Sequence, residues 1–244
     1  MRQEYRAGRR GWHSAIGCCV LLVASALAPA AALAQAATEA EGQAGDHRRA
    51  VLVMGDSLSA GYGLRAEESW PALVDRRMAR EYPGCRVVNA SISGETSAGG
   101  SARVVGEVLR HRPGVVVIAL GANDGLRGLP LREARRNLAR MIGASKHAGA
   151  RVLLVGMRMP PNLGEDYTRG FERIYRDLAA LFGTGLLPFL LEPIALDRDA
   201  FQDDNLHPAP QAQERLLAHV WPALAPLLDA AAVRDSQAGA AVQE

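Results

Sequence analysis

The chain has 244 residues, 48% of them hydrophobic and 22% charged, and a formal net charge of +2. The positive excess sits at the start: without the four arginines and one glutamate of residues 1–34, acids outnumber bases by one. A near-neutral body of this size excludes nucleic acid as the main partner, because phosphate binding needs clustered Lys and Arg, and it leaves enough chain for one domain with a sizeable core.

Residues 1–34 read as a secretory signal peptide. Arg6, Arg9 and Arg10 form its charged region, Ile16 to Leu27 its apolar region, and Ala32-Leu33-Ala34 a small-x-small cleavage site before Gln35. The apolar run is short for a membrane anchor and ends in Pro29 and alanines, so cleavage is the expectation. The mature protein is then periplasmic or secreted, with no stable membrane insertion. Cys18 and Cys19 go with the leader, which leaves Cys85 as the one mature cysteine and excludes an internal disulfide. Residues 35–49 are small and polar and read as a linker.

From residue 50 apolar runs alternate with amphipathic ones. Strands are predicted at 51–54, 86–89, 115–120, 152–155 and 186–191, the last interrupted by Pro188; helices are predicted at 67–82, 101–110, 131–147, 167–182 and 209–228. Residues 229–244 read as a frayed, disordered tail. Strands and helices of these lengths in alternation imply an α/β fold over residues 50–228, a parallel sheet with helices on both faces. The continuous apolar strands agree, since both faces of such a strand are buried.

In this architecture ligands sit beyond the carboxyl ends of the strands. The first strand is followed by Gly55-Asp56-Ser57, the second by Asn89 to Thr96, the third by Gly121 to Gly125, the fourth by Gly156 to Pro161, and the fifth, further on, by Asp203 to Pro208. Turn preference explains the glycines and asparagines. It does not explain one Ser, one Asn and an Asp-x-x-His pair delivered to the same edge, which are the parts acyl transfer needs. Ser57 is a nucleophile if His207 takes its proton, and Asp204, three residues before, can hold the imidazole in the right tautomer. The Ser57 N–H, the Gly94 N–H and the Asn123 side-chain amide can receive an oxyanion. Asp203 is the competitor of Asp204, disfavoured by its offset. Asp56 reads as a scaffold for the turn around Ser57. Leu126, Met159 and Pro160 are expected to wall a substrate pocket. His47, His111, His147 and His219 are expected to be solvated. Gly61 to Ala66 matches G-x-G-x-x-A but follows no strand and has no acid placed for a ribose, so it reads as a loop.

The blocks "GDSLS", "SGET", "GAND" and "DDNLHP", in that order, resemble those of the SGNH, or GDSL, hydrolase family from about Val51 to Leu228. "NASISGETSAGG", "ALGANDGLRG" and "LPFLLEP" are similar to its bacterial periplasmic branch of acyl-CoA thioesterases, lysophospholipases and arylesterases. The resemblance implies a three-layer α/β/α sandwich with a five-stranded parallel sheet, flavodoxin-like, a catalytic set of Ser57, Asp204 and His207, an oxyanion hole of Ser57, Gly94 and Asn123, no cofactor and no metal, and a monomer acting on a small-molecule or lipid ester. Asn205 stands where glycine is usual in that branch. Three rivals remain at this level: a metal-dependent phosphoesterase, disfavoured because only one Asp-x-x-His is present; a non-catalytic periplasmic acyl- or lipid-binding module; and a polysaccharide O-deacetylase of the same family, which calls for a wide polar cleft.

Overall fold

The computed structural model describes residues 50–241, with side chains to residue 231. The expected signal peptide (1–34), the linker (35–49) and His47 lie outside the described residues.

Five parallel strands, β1 (Ala50–Gly55), β2 (Arg86–Asn89), β3 (Val115–Ala119), β4 (Arg151–Val155) and β5 (Gly185–Leu187), form a sheet in the order β2-β1-β3-β4-β5. The expected α/β sandwich is what the sheet and its helices make. Residues of β1 alternate between two cores. Val51 and Val53 face α2 (Trp70–Glu81) and α7 (Gln213–Ala241), whereas Leu52 and Met54 face α3 (Ser97–His111), α5 (Leu131–His147) and α6 (Glu165–Phe182). All four side chains are buried, which is why the strand reads as an unbroken apolar run. Among the described residues no helix is long and apolar enough to cross a membrane.

Boundaries depart from expectation where a local signal misleads. The α3 helix starts at Ser97 instead of 101, because Gly99 and Gly100, poor helix formers, lie inside it. A Cβ on Gly100 would lie 2.3 Å from Leu120 Cδ1, so the glycine lets α3 pack close to the sheet. The α2 helix starts at Trp70, later than the predicted residue 67, and its first N–H is capped from far along the chain by Gln213 Oε1 at 2.9 Å. Strand β5 stops at Leu187 instead of 191, since Pro188 has no N–H for the ladder. The closing helix begins at Gln213, after a 3-10 turn at Pro210–Ala212, and runs to Ala241. The expected tail from 229 is therefore helical over most of its length, as its alanines favour. Its start is fastened to the body, with Tyr82 Oη donating to Asp229 Oδ1 at 2.7 Å and Arg151 Nη2 to the Ala230 carbonyl at 3.1 Å. On the outer strand β2, the Val87 N–H donates to Asp75 Oδ1 of α2 at 2.6 Å.

The chain leaves β1 through a tight turn. A Cβ on Gly55 would lie 2.6 Å from the Ser59 side chain, so the turn has no room for one. Asp56 then caps α1 (Ser57–Ala60), its Oδ1 accepting the Leu58 N–H at 3.0 Å. This is the scaffold role expected of it. Burial pushes the Asp56 carboxyl up to about 6, against the pull of the Leu58 N–H and the charge of His207.

A carboxyl raised from 3.8 to about 6 on folding keeps its proton while the unfolded chain loses it, so stability falls as pH rises through that interval. Two units correspond to about 3 kcal/mol. Asp56→Asn keeps the acceptor for Leu58 and removes the titration. Urea unfolding of variant and parent at pH 4 and pH 7 should show the variant gaining on the parent with rising pH, by up to about 3 kcal/mol. A difference that does not change with pH would mean that the buried carboxyl ionises without cost.

Candidate active site

The strand order places the reversal point between β1 and β3, with the chain moving outward to β2 on one side and to β4 and β5 on the other. The crevice at such a point, beyond the carboxyl ends, is where doubly wound sheets take ligands. Ser57 follows β1 and Asn123 follows β3, so both stand at that crevice.

Ser57 is the first residue of α1, and its Oγ lies 2.8 Å from His207 Nε2. His207 arrives on the loop between β5 and α7. Its Nδ1 lies 2.6 Å from Asp204 Oδ2, while Asp204 Oδ1 accepts the N–H groups of Leu206 and His207 at 2.9 and 3.0 Å. The imidazole bond and these two N–H groups hold the Asp204 carboxyl down at about 2. An ionised Asp204 accepts the proton on Nδ1, which leaves the Nε2 lone pair toward the serine hydroxyl. Asp203 does not meet the ring; its carbonyl accepts from Asn205 Nδ2 at 3.4 Å. Asn205 has φ +56°, a left-handed conformation that glycine adopts freely and asparagine tolerates. The asparagine therefore fits the turn that presents His207.

Asn123 sits in a short helix, α4 (Ala122–Leu126), which is absent from the helices expected from the sequence. Its Nδ2 donates one hydrogen to the Glu95 carbonyl at 3.0 Å, which leaves the second for a ligand. Gly94, at φ +79°, precedes Glu95 in the turn after β2, and Arg127 Nη2 donates to its carbonyl at 3.1 Å. Neither the Ser57 nor the Gly94 N–H meets an acceptor among the described residues.

Two carboxylates missed in the sequence support this group. The Glu95 side chain, mostly buried, pairs with Arg103 of α3 through Nε–Oε1 at 2.8 Å and Nη2–Oε2 at 2.5 Å. Buried Asp124 accepts the Ser97 N–H at 2.8 Å and the Ser97 hydroxyl at 2.5 Å, tying α4 to the start of α3. Contacts across eight and 27 residues leave no periodic trace in a sequence.

A cleft of about 370 Å³ opens beside Ser57 and Asn123. Leu126, Met159 and Pro160 all line it. Leu58 and Met157 add to its apolar wall, and Phe189, Leu191, Phe201 and Leu206 come from the chain after β5, part of which falls within the strand expected at 186–191. Gly61 to Ala66 forms turns, in agreement with the loop reading. His147 is exposed, but two other histidines are not simply solvated. His219 Nε2 lies 2.9 Å from the Phe189 carbonyl, and His111 Nε2 lies 3.3 Å from Glu107 Oε2. Among the described residues no cluster of His, Cys, Asp and Glu has the makings of a metal site.

A model of the GDSL-like Lipase/Acylhydrolase family matches residues 53–215. Esterase TesA of Pseudomonas aeruginosa is 48% identical over 178 residues, which are 73% of this chain and 89% of that protein. Thioesterase 1/protease 1/lysophospholipase L1 of Escherichia coli (strain K12) is 40% identical over 179 residues, 73% of this chain and 85% of that protein. Among solved structures, the psychrotrophic esterase EstA of Pseudoalteromonas sp., inhibited by monoethylphosphonate, superposes with a TM-score of 0.71 at 35% identity, covering 74% of this chain and 99% of its own. With the strand order, the serine after β1 and a family match across most of the sheet, the chain belongs to the GDSL-like lipase/acylhydrolase family.

Proposed function

We propose that this protein is a serine hydrolase of carboxylic esters and thioesters, working through an acyl-enzyme on Ser57. The observation that carries the reading is the Ser57–His207–Asp204 chain of contacts, at 2.8 and 2.6 Å, opening on an apolar cleft. Ser57 Oγ attacks the substrate carbonyl as its proton passes to His207 Nε2. The carbonyl electrons move to an oxyanion that the Ser57 N–H, the Gly94 N–H and the free hydrogen of Asn123 Nδ2 receive. As the intermediate collapses, the bond to the alcohol or thiol breaks, and His207 returns the proton to that leaving group. Water then repeats the sequence on the acyl-enzyme: His207 takes its proton, the acid departs, and Ser57 recovers its hydrogen. Asp204 stays ionised throughout and holds the imidazole by Nδ1.

The wall residues suit an acyl chain, and the relatives' names include an esterase and a thioesterase/lysophospholipase. The same apolar wall disfavours a polysaccharide O-deacetylase. A complete nucleophile, base and orienting acid disfavours a non-catalytic binding module. The signal-peptide reading of residues 1–34 supports action outside the cytoplasm, on esters met there.

Ser57→Ala and His207→Ala should each lower kcat by about four to six orders of magnitude with the unfolding midpoint retained. A serine-directed phosphonate should label the parent and leave Ser57→Ala unlabelled; labelling of that variant would sink the nucleophile assignment. Asn123→Ala should lower kcat by about 10²–10³ with little change in KM, the signature of a donor used mainly in the transition state. For the cleft, Ala195 is an exposed lining residue with room for a larger side chain. On a series of nitrophenyl esters from acetyl to palmitoyl, Ala195→Phe should cut kcat/KM for the longest chains by about tenfold or more and spare acetyl. An equal loss at every length would place the acyl chain elsewhere.

A further inference from the structure

Two residues with no part in the chemistry above, Tyr62 and Gln202, bear on the histidine loop. The Tyr62 ring lies against the His207 imidazole, with centroids 4.4 Å apart and planes inclined by 36°. Gln202 reaches the same loop twice: its N–H donates to the His207 carbonyl at 2.8 Å, and its side-chain Nε2 to the Pro208 carbonyl at 3.2 Å. The same Nε2 donates to the Tyr62 carbonyl at 2.8 Å. Both side-chain partners are carbonyls, so the nitrogen of the carboxamide must face them and the oxygen must face away. That oxygen abuts Gly63: a Cβ there would lie 2.2 Å from Oε1, and Gly63 has φ +74°. The glycine after Tyr62 thus makes room for the carboxamide that grips Tyr62.

We propose that Gln202 is a positioning residue for His207, joining the Tyr62 loop to the histidine loop so that the tyrosine ring stays on the imidazole. The proposal rests on the hydrolase reading. Asp204 holds the imidazole only by its Nδ1 edge, which leaves the ring free to tilt about that bond. The Tyr62 ring closes one face against tilting. In both half-reactions Nε2 must stay within hydrogen-bond reach of first the serine and then the water, and small misplacements at such a distance cost rate. Tyr62 is itself half-exposed, so its own burial fixes it weakly. Its main chain is instead anchored to the loop it must register with.

The test compares Gln202→Glu, which keeps the shape but has no donor, Gln202→Ala, Tyr62→Ala, Tyr62→Phe and the double variant Gln202→Ala/Tyr62→Ala. The readouts are kcat and KM on a nitrophenyl ester, the rate of phosphonate labelling of Ser57, and the unfolding midpoint. Both Gln202 variants should lose kcat by about 10–100-fold with KM retained, and labelling should slow in parallel. Tyr62→Ala should show the same loss and the double variant no more, because the two residues act as one device. Tyr62→Phe, which keeps ring and carbonyl, should match the parent. Parental kcat in Gln202→Glu, a loss confined to KM, or a loss that only follows the unfolding midpoint would overturn the clamp while the hydrolase reading stood. If the phosphonate failed to label the parent on Ser57, the hydrolase reading would fall and the clamp with it.

Discussion

Every strand of the sheet runs the same way, and the functional arrangement depends on that constraint. Parallel strands deliver all their carboxyl ends to one edge, so segments as distant as Ser57 and His207 emerge as neighbours. The helices α2, α3, α5 and α6 then carry the chain back to the opposite edge before the next strand can start, each burying one face against the sheet. The layers act as a jig: they hold the backbone rigidly and leave the chemistry to the turns.

Within that edge, two carboxylates are put to opposite uses by their surroundings. Asp204 lies near solvent, bonded by two N–H groups and an imidazole, and its charged form is strongly favoured. Asp56 is sealed behind the turn after β1, where burial favours the neutral form. In the proposed reaction the first uses its charge to orient a ring that becomes cationic as it takes the serine proton. The second needs only an oxygen to accept one N–H at the start of α1, so its shift is a by-product of burying the turn. Asp124 and Glu95 extend the pattern: Asp124 fastens α4, and Glu95 the turn after β2, to α3, and through Glu95 the Asn123 amide is tied to the same helix.

Much of this was legible before any coordinates. Buried parallel strands write themselves as plain apolar runs, and the residues just after them stand at a predictable edge, so Ser57, Asn123 and His207 could be singled out. Legibility failed where a determinant was tertiary. Gly99 and Gly100 look like helix breakers, yet α3 uses the second of them to approach Leu120 closely. The Gln213 cap on Trp70 spans 143 residues, and the Glu95–Arg103 pair is set by a turn geometry that no period encodes. The cleft walls after β5 escape a strand pattern because Pro188 ends the strand early and Phe189 and Leu191 line the cleft instead. Tyr62 and Gln202 belong to the same class: each is an ordinary loop residue until the other is beside it.

The bond from Val87 to Asp75 bears on the life of the protein at high concentration. Among the described residues no strand pairs with the far side of β2, and such borders invite a second chain to add itself as another strand. Here one of the outward N–H groups is already engaged by a carboxylate, which an arriving backbone would have to displace. A residue of a neighbouring helix thus raises the cost of adding a strand at this edge.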